Sequence, residues 1–265
     1  MSSEINHTEF YKKADLYDLA FRFKKVEQEN QTILTAYSRI NGKHASSFLD
    51  IAAGPASNAI EMAARGLKTA AIDYSPEMTE LGLRKAKQLR VNLSYATADM
   101  RNFRLQEKFD IAAIFMDSTS YLFTNEDVLT HLRTVANHLN DNGLYFLEMS
   151  HPRDVFNVGK SSSTEWTETD GSTSVTVKWG DEKDTFDPIT QTTEISAHLE
   201  FRTAQGSGSI IDRCTQRCFT YNEIDALVRA SGCFTICEVL GSFEPGIPFT
   251  NEKAAWRMIP VLRKI

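Results

Sequence analysis

The spacing of apolar residues predicts strands and helices that alternate through the first 150 residues of the chain. Short apolar runs without helical spacing read as buried strands, and the segments between them place apolar residues at three- and four-residue steps, which is typical of helices. The predicted strands are residues 48–51, 69–72, 91–98, 109–116 and 144–149, with two more at 234–240 and 258–262. Strands that alternate with helices favour an α/β fold, in which a mostly parallel sheet carries helices on both faces.

Residues that typically cap or terminate helices refine the predicted bounds of the helices. Two helices are expected before the first strand, at residues 8–30 and 31–40, the second of them ended by Asn41 and Gly42. The other expected helix caps and stops are Ser57, Gly66, Ser75 followed by Pro76, Thr124, the capping box Thr220-x-x-Glu223, and Gly232.

The pattern changes between residues 157 and 209. This segment is rich in Ser, Thr, Gly and Asp, and it alternates apolar and polar residues, as in Val175-x-Val177-x-Trp179. Alternation with polar turns predicts an antiparallel β insert, which we place at residues 157–215. The core is then formed by residues 1–156 and 216–265. Because the insert follows the fifth strand, we expect it to cover the carboxyl edge of the sheet, where open α/β sheets bind ligands.

The most informative segment is SFLDIAAGPASNAIEMAARGLKTAAIDYS, residues 47–75. A strand, a turn of small residues, a helix and a second strand ending on Asp73 form the layout of a nucleotide-binding βαβ unit. An acid at the position of Asp73 can accept hydrogen bonds from both hydroxyls of a ribose. The turn has alanines at two of the three usual glycine positions, which leaves less room for a pyrophosphate. S-adenosylmethionine is a nucleoside ligand that has no phosphate.

Four motifs resemble those of class I S-adenosylmethionine-dependent methyltransferases of the small-molecule type: LDIAAGPASNAIEMAARG, AAIDYSPEM, YATADMRNF and FDIAAIFMDSTSYL. The resemblance implies a Rossmann-like seven-stranded sheet and an N-terminal helical lid in YKKADLYDLAF. It also implies that Asp50 holds the methionine end of the cofactor, that Asp73 holds the ribose, and that Asp99 and Met100 contact the adenine. The complete implied cofactor set is Tyr11, Tyr17, Asp50, Ala52, Gly54, Asp73, Tyr74, Asp99, Met100 and Met116.

Methyl transfer from a sulfonium is an in-line displacement in which the protein aligns the two reactants and excludes water. An amine acceptor must also lose a proton, so a general base can help. The candidate catalytic residues are Asp117, Tyr121 and His151. Each has a structural alternative: Tyr121 can be a core aromatic, and His151 can be a turn residue bonded to backbone. Asp117 is one acid where magnesium would need several, so no metal is expected.

The segment VKWGDEKDTFDPITQTTE resembles the β inserts of sugar N-methyltransferases from antibiotic pathways. This resemblance implies a small-molecule acceptor, an amine ahead of a hydroxyl, and a homodimer formed through the insert. Trp166 and Trp179 of the insert could form an apolar or cation-binding wall, or they could belong to the insert core or to a dimer contact.

Charge and cysteine content narrow the remaining classes of function. The net charge is -6 with a pI of about 5.6, and no segment concentrates Lys and Arg, so we expect no nucleic-acid partner. No apolar run is long enough to span a membrane, and the first ten residues lack a signal-peptide pattern. The four cysteines, Cys214, Cys218, Cys233 and Cys237, read as buried free thiols rather than as a metal site, which indicates a cytoplasmic protein.

Three functions remain open from the sequence. The first is a methyltransferase that acts on a nitrogen or oxygen of a small metabolite. The second is an NAD-dependent dehydrogenase, which the missing glycines disfavour. The third is a regulator or partner subunit that binds S-adenosylmethionine without turnover.

Overall fold

The computed structural model describes residues 9–156 and 163–265. The predicted ends of the first helix at residue 8 and of the insert at residue 157 lie outside this range. The helices are α1 Glu9–Lys12, α2 Ala14–Ala20, α3 Val26–Asn41, α4 Ser57–Ala64, α5 Pro76–Leu89, α6 Asn125–Asn137, α7 Pro152–Val155 and α8 Tyr221–Ser231. The strands are β1 Ser47–Ile51, β2 Lys68–Asp73, β3 Leu93–Thr97, β4 Phe109–Ile114, β5 Leu139–Leu147, β6 Met149–Ser150, β7 Thr164–Asp170, β8 Thr173–Trp179, β9 Thr185–Asp187, β10 Thr192–Thr203, β11 Gly206–Arg217, β12 Phe234–Leu240 and β13 Arg257–Lys264.

The larger sheet confirms the predicted α/β core. Its seven main strands run in the order β12-β13-β5-β4-β1-β2-β3, and the two-residue β6 pairs with β13. Strands β1 to β5 are parallel, whereas β13 runs antiparallel to β5. Because parallel strands meet side chains from both covering layers, β1 is buried along its whole length. Its Phe48 packs towards α3 and α4, and its Leu49 packs towards α6 and α8.

Most of the predicted helix ends are confirmed. The Ser75 hydroxyl accepts a hydrogen bond from the Met78 N–H at 3.2 Å, and Thr124 forms a full capping box with Asp127. Gly42 and Gly232 are left-handed residues directly after their helices, with φ of 66° and 67°. The Ser57 cap is wrong, because Ala56 occupies the cap position with left-handed backbone and Ser57 is the first residue of α4.

The N-terminal segment departs from the prediction of a helix to residue 30. The chain leaves the helical path after α2, and α3 starts at Val26. In the connecting turn, the rings of Phe21 and Phe23 pack against Trp166 with centroids 5.6 and 5.8 Å away. A continuous helix would carry these two rings to different faces, so contact with the insert decides the break. We refer to α1, α2 and residues 21–25 together as the lid.

The smaller sheet is the predicted antiparallel insert, in the order β11-β10-β8-β7 with β9 paired to β10. It extends to Arg217, two residues past the predicted boundary. One face of the sheet buries Val175, Val177 and Leu199 against Phe10 and Leu19 of the lid. Trp166 belongs to this packing and donates its Nε1–H to the Ala20 carbonyl at 2.7 Å. Its indole therefore packs on the lid, a contact that the sequence analysis did not predict.

All four cysteines are free thiols. Cys214 and Cys218 are buried as predicted, but Cys237 is exposed, because it lies on β12 at the edge of the main sheet. Within residues 9–156 and 163–265, no helix has the length and apolar character needed to cross a membrane.

Candidate functional site

The loop between β1 and α4, residues 52–56, forms the centre of the candidate site. Its residues Ala52, Gly54 and Ala56 all have left-handed backbone, with φ of 52°, 54° and 57°. These are the three positions at which the family motif has glycine. Left-handed backbone costs an alanine about 1–2 kcal/mol, so the loop holds two strained residues.

Asp73 ties this loop to the end of β2. Its Oδ2 accepts a hydrogen bond from the Gly54 N–H at 2.8 Å, and its Oδ1 accepts one from the Ser75 N–H at 2.8 Å. The predicted proximity of Gly54 and Asp73 is therefore confirmed.

Asp50 is buried at the end of β1 beside the N-terminus of α4. Its Oδ2 accepts a hydrogen bond from the Ala59 N–H at 3.1 Å, and its Oδ1 has no partner in the described structure. Burial raises the pKa of Asp50 to about 8, and the positive charge of Lys24 acts in the opposite direction. A buried carboxylate oxygen without a partner is costly, so this atom marks a place where a ligand donor would fit.

Lys24 is a candidate that the sequence analysis missed. Its Nζ donates to Asn58 Oδ1 at 3.1 Å and lies 4.9 Å from the centroid of the Phe115 ring. Lys24 and Asp50 line one end of the same cavity. Lys24 also pairs with Glu29 at 3.6 Å. A lysine in a turn between two helices has no sequence pattern that distinguishes it from a surface lysine, so only the fold reveals this position.

Two cavities adjoin at the carboxyl edge of the sheet and share Tyr17, Ala52, Gly54 and Ser118 in their walls. The first cavity is also lined by Lys24, Asp50 and Met116. The second is also lined by Tyr11, Asp73, Tyr74, Met78, Met100 and Tyr121. Nine of the ten predicted cofactor residues therefore lie around these two cavities.

Asp99 is the exception. Arg101 holds its carboxylate with both Nε and Nη2, at 3.0 and 2.6 Å, and Asp99 does not line either cavity. The neighbouring Met100 does line the second cavity, and its carbonyl accepts a hydrogen bond from His131 Nδ1 at 2.8 Å. The predicted contact between Asp99 and adenine thus has no support from this geometry.

Two tyrosines of the lid close the cavities from above. The Tyr11 hydroxyl shares a hydrogen bond with the Tyr121 hydroxyl at 2.8 Å, and the Tyr11 and Tyr17 rings lie 5.4 Å apart. Burial raises the pKa of Tyr11 and of Tyr121 above the usual range, so both phenols stay protonated at neutral pH. Strand β11 of the insert reaches the same point through Cys214 and Gln216, which contact Tyr121.

Asp117 follows β4 between Met116 and Ser118 of the wall of the first cavity, and it does not itself line either cavity. It has left-handed backbone, with φ of 57°, and its Oδ2 accepts a hydrogen bond from the Ser150 hydroxyl at 2.6 Å. Burial raises the pKa of Asp117 to about 6, although the Ser150 hydrogen bond and the charge of Arg257 act to lower it. A carboxylate with this pKa can accept a proton near neutral pH.

Glu148 supports this region from the end of β5. Its Oε2 accepts a hydrogen bond from the Met116 N–H at 2.8 Å, and its Oε1 forms an ion pair with Arg257 at 2.9 Å. The side chain is fully buried, so the ion pair is shielded from solvent. It fixes the backbone just before Asp117.

The geometry around His151 does not favour its predicted role as a general base. Its Nδ1 accepts a hydrogen bond from the Arg153 N–H at 3.1 Å, and its Nε2 donates to the Thr250 carbonyl at 3.0 Å. Both ring nitrogens are engaged, the ring is buried, and it does not line either cavity. His151 is the cap of α7, which is the structural alternative that the sequence left open.

Known proteins resemble this chain in both sequence and fold. Residues 48–143 match the family described as a methyltransferase domain. A solved S-adenosylmethionine-dependent methyltransferase from Clostridium acetobutylicum superposes with a TM-score of 0.78 at 18% identity, covering 96% of this chain and 98% of that one. The chain has the class I methyltransferase fold.

Two curated methyltransferases are similar to this chain in sequence. One is a dTDP-3-amino-3,4,6-trideoxy-alpha-D-glucopyranose N,N-dimethyltransferase from Streptomyces venezuelae, 30% identical over 55% of this chain and 57% of the relative. The other is a dTDP-4-amino-2,3,4,6-tetradeoxy-D-glucose N,N-dimethyltransferase from Saccharopolyspora spinosa, 28% identical over 39% of this chain and 40% of the relative. The similarity thus spans about half the length of these relatives.

Proposed function

We propose that this chain transfers a methyl group from S-adenosylmethionine to a nitrogen of a small-molecule acceptor. The observation that carries the proposal is a pair of adjoining cavities. Asp50 lines the first cavity, Asp73 lines the second, and Gly54 lines both. A ligand with a ribose near one acid and a charged amino acid end near the other fits this layout.

The residues present suit each part of that cofactor. Asp73 would accept the ribose hydroxyls, and Met78, Met100 and Tyr11 offer an apolar wall to the adenine. The amino acid end carries both charges. Its ammonium group would satisfy the partnerless Oδ1 of Asp50, and its carboxylate would face Lys24.

When bound, the cofactor supplies a methyl group already activated as a sulfonium. The lid tyrosines exclude water from the cavity, and the strand ends align the acceptor with the methyl for in-line displacement. Asp117 would take the proton that the acceptor nitrogen releases, because its pKa of about 6 leaves it ionised at neutral pH. Tyr121 would hold the acceptor through its hydroxyl.

The two curated relatives are named for amino groups on nucleotide-linked deoxysugars, which supports an amine on a sugar-like molecule as the acceptor. We further propose a homodimer formed through the exposed, polar face of the insert, to be checked by analytical ultracentrifugation. The free thiols at all four cysteines support a reducing compartment such as the cytosol.

The direct test combines binding and turnover. Calorimetry with S-adenosylmethionine and with S-adenosylhomocysteine should give saturable binding, and NAD should give none. Incubation with dTDP-3-amino and dTDP-4-amino sugars should then yield products heavier by one or two methyl groups in mass spectrometry. Absence of binding by both nucleosides would overturn the proposal. Binding without transfer to any of a broad set of amines and alcohols would favour the regulatory alternative.

A further inference from the structure

Tyr95 reaches the β1–α4 loop from below without entering either cavity. It lies on β3, the outer parallel strand, and its hydroxyl donates a hydrogen bond to the Gly54 carbonyl. The N–H of Gly54 is held by Asp73 on the other side. The backbone of Gly54 is thus fixed at both its N–H and its carbonyl by two side chains from neighbouring strands.

The helix above makes room for this ring. A Cβ atom added to Gly82 of α5 would lie 2.5 Å from Cε1 of Tyr95 and 3.2 Å from the Cβ of Ala56. Gly82 has ordinary helical backbone, so the Tyr95 ring is what requires a glycine there. Glycine is an unfavourable residue inside a helix. Gly82 therefore accommodates the Tyr95 ring beneath the loop, and this observation is independent of the hydrogen bond from Tyr95 to Gly54.

The loop needs such support. Ala52 and Ala56 keep left-handed backbone that alanine disfavours, and strained backbone persists only where surrounding contacts hold it. In a loop with three glycines the same path carries no strain. Burial raises the pKa of Tyr95 above its usual range, and the Asp73 and Asp50 carboxylates add to this effect, so its hydroxyl remains a donor.

We propose that Tyr95 is a positioning residue whose hydroxyl holds residues 52–56 in the conformation that receives the cofactor, and so compensates for the two missing glycines. The inference rests on the proposed function for its ligand, but the loop conformation can also be measured without one. Tyr95 does not touch the cavities, so its effect on binding must act through Gly54.

The test uses Tyr95→Phe, which keeps the ring and removes the hydroxyl. Loss of one neutral hydrogen bond that orders the loop should weaken S-adenosylhomocysteine binding by about fivefold in calorimetry. Tyr37→Phe is the matched control, because it removes a buried tyrosine hydroxyl bonded to Asn41 in α3, away from the loop. The affinity of the Tyr37→Phe variant for S-adenosylhomocysteine should equal that of the unaltered protein. Thermal unfolding verifies that both variants fold.

Rescue by glycine separates loop positioning from general packing. Glycine adopts left-handed backbone without strain, so in an Ala52→Gly background the loss caused by Tyr95→Phe should shrink to less than twofold. An unchanged affinity of Tyr95→Phe would overturn the proposal. An equal loss in both backgrounds would overturn it as well, because the hydroxyl would then not act through the strain of the loop.

A measurement without ligand keeps the inference separate from the proposed function. In hydrogen exchange of the ligand-free protein, Tyr95→Phe should speed exchange of the Gly54 amide by about fivefold, while the Tyr37→Phe control should not. If the unaltered protein bound no nucleoside, the proposed function would fail and this experiment would still decide the role of Tyr95. Equal exchange in all three proteins would show that the hydroxyl does not hold the loop.

Discussion

At the scale of single residues, Asp73 combines two tasks in one carboxylate. It fixes the Gly54 and Ser75 backbone, and it lines the cavity that Met100 also lines. A ligand bound there gains a charge-assisted partner together with a loop that is already ordered. Removing the carboxylate therefore affects both the contact and the order of the loop.

We expect Asp73→Ala to weaken S-adenosylhomocysteine binding by about 1.5–3 kcal/mol, the size of a lost charge-assisted hydrogen bond. Calorimetry measures the change. Asp187→Ala is the control, since Asp187 makes the same turn contact with the N–H two residues on, at 2.8 Å, on the distant insert. Equal affinities for Asp73→Ala and the unaltered protein would rule out a role for Asp73 on the ribose.

His131 supports the other side of the second cavity and makes stability depend on pH. Burial lowers the pKa of His131 to about 4, although the hydrogen bond from its Nδ1–H to the Met100 carbonyl and the charge of Asp99 act to raise it. Its Nε2 accepts a hydrogen bond from the Tyr145 hydroxyl. The folded state thus binds the proton less readily than the unfolded state, whose pKa is near 6.5. The contribution to stability is complete above pH 6.5 and is lost as the pH falls towards 4.

We therefore expect the free energy of unfolding to lose about 2–3 kcal/mol from His131 between pH 7.5 and pH 4.5. Buried acids such as Asp50 oppose this trend because their pKa values are raised, so the comparison must be a difference between proteins. Urea unfolding of His131→Gln at the two pH values isolates the effect. The same pH dependence in variant and unaltered protein would contradict the assignment.

At the scale of elements, the lid and the insert form one unit above the sheet. Phe10 donates its backbone N–H to Asp212 of β11 at 3.0 Å, and Arg22 pairs with Asp170 of β7 at 2.8 Å. The lid is also held to α5, where Lys85 pairs with Asp18 at 2.6 Å. The ion pair between Arg22 and Asp170 is exposed and contributes little, so apolar packing on the insert holds the lid in place.

Leu199→Ala tests this coupling. Leu199 is fully buried between the insert and the lid, so its truncation should cost about 2–4 kcal/mol of stability. A loosened lid also removes order from Tyr11 and Tyr17, so S-adenosylhomocysteine affinity should fall several-fold in calorimetry. Glu200→Ala, the next residue on the exposed face of the same strand, should change neither quantity. Full S-adenosylhomocysteine affinity in a destabilised Leu199→Ala protein would show that binding does not depend on the packing of the lid against the insert.

At the scale of the whole molecule, the candidate site joins segments that lie far apart in the sequence. The lid, the β1–α4 loop, the end of β2 and the turn after β4 meet at one edge of the sheet. The opposite edge, near residues 104–109, contains a separate open groove. A ligand bound between the lid and the sheet must order all the segments of the first edge together.

Hydrogen exchange followed by mass spectrometry should show this pattern. Saturating S-adenosylhomocysteine should slow exchange in peptides covering residues 9–24, 50–58, 73–78 and 116–121. Peptides from residues 104–109 serve as the internal control and should be unchanged. Protection confined to the control region would place the ligand at the wrong edge and would contradict the proposed function.

The sequence predicted the parts of this protein that depend on neighbours along the chain. Strand β12 was predicted to the residue, and the Ser75 and Thr124 caps were correct, because capping requires only a side chain and a backbone group three residues apart. The pairing of Gly54 with Asp73 also followed from spacing, since one helix and one parallel strand fix where each loop ends.

Tertiary contacts decided several features that the spacing of residues in the sequence could not predict. The break in the N-terminal helix depends on Trp166, and the hydrogen bond of the His151 Nε2 depends on Thr250, about one hundred residues away. Lys24 joined the site for the same reason, whereas Asp99 turned to Arg101, a partner only two residues away that the sequence analysis did not consider. By itself the sequence determined the sheet, the cofactor loop and its acid. Tertiary packing decided which side chains have free atoms that face the cavity, because hydrogen-bond partners distant in sequence exist only in the folded chain.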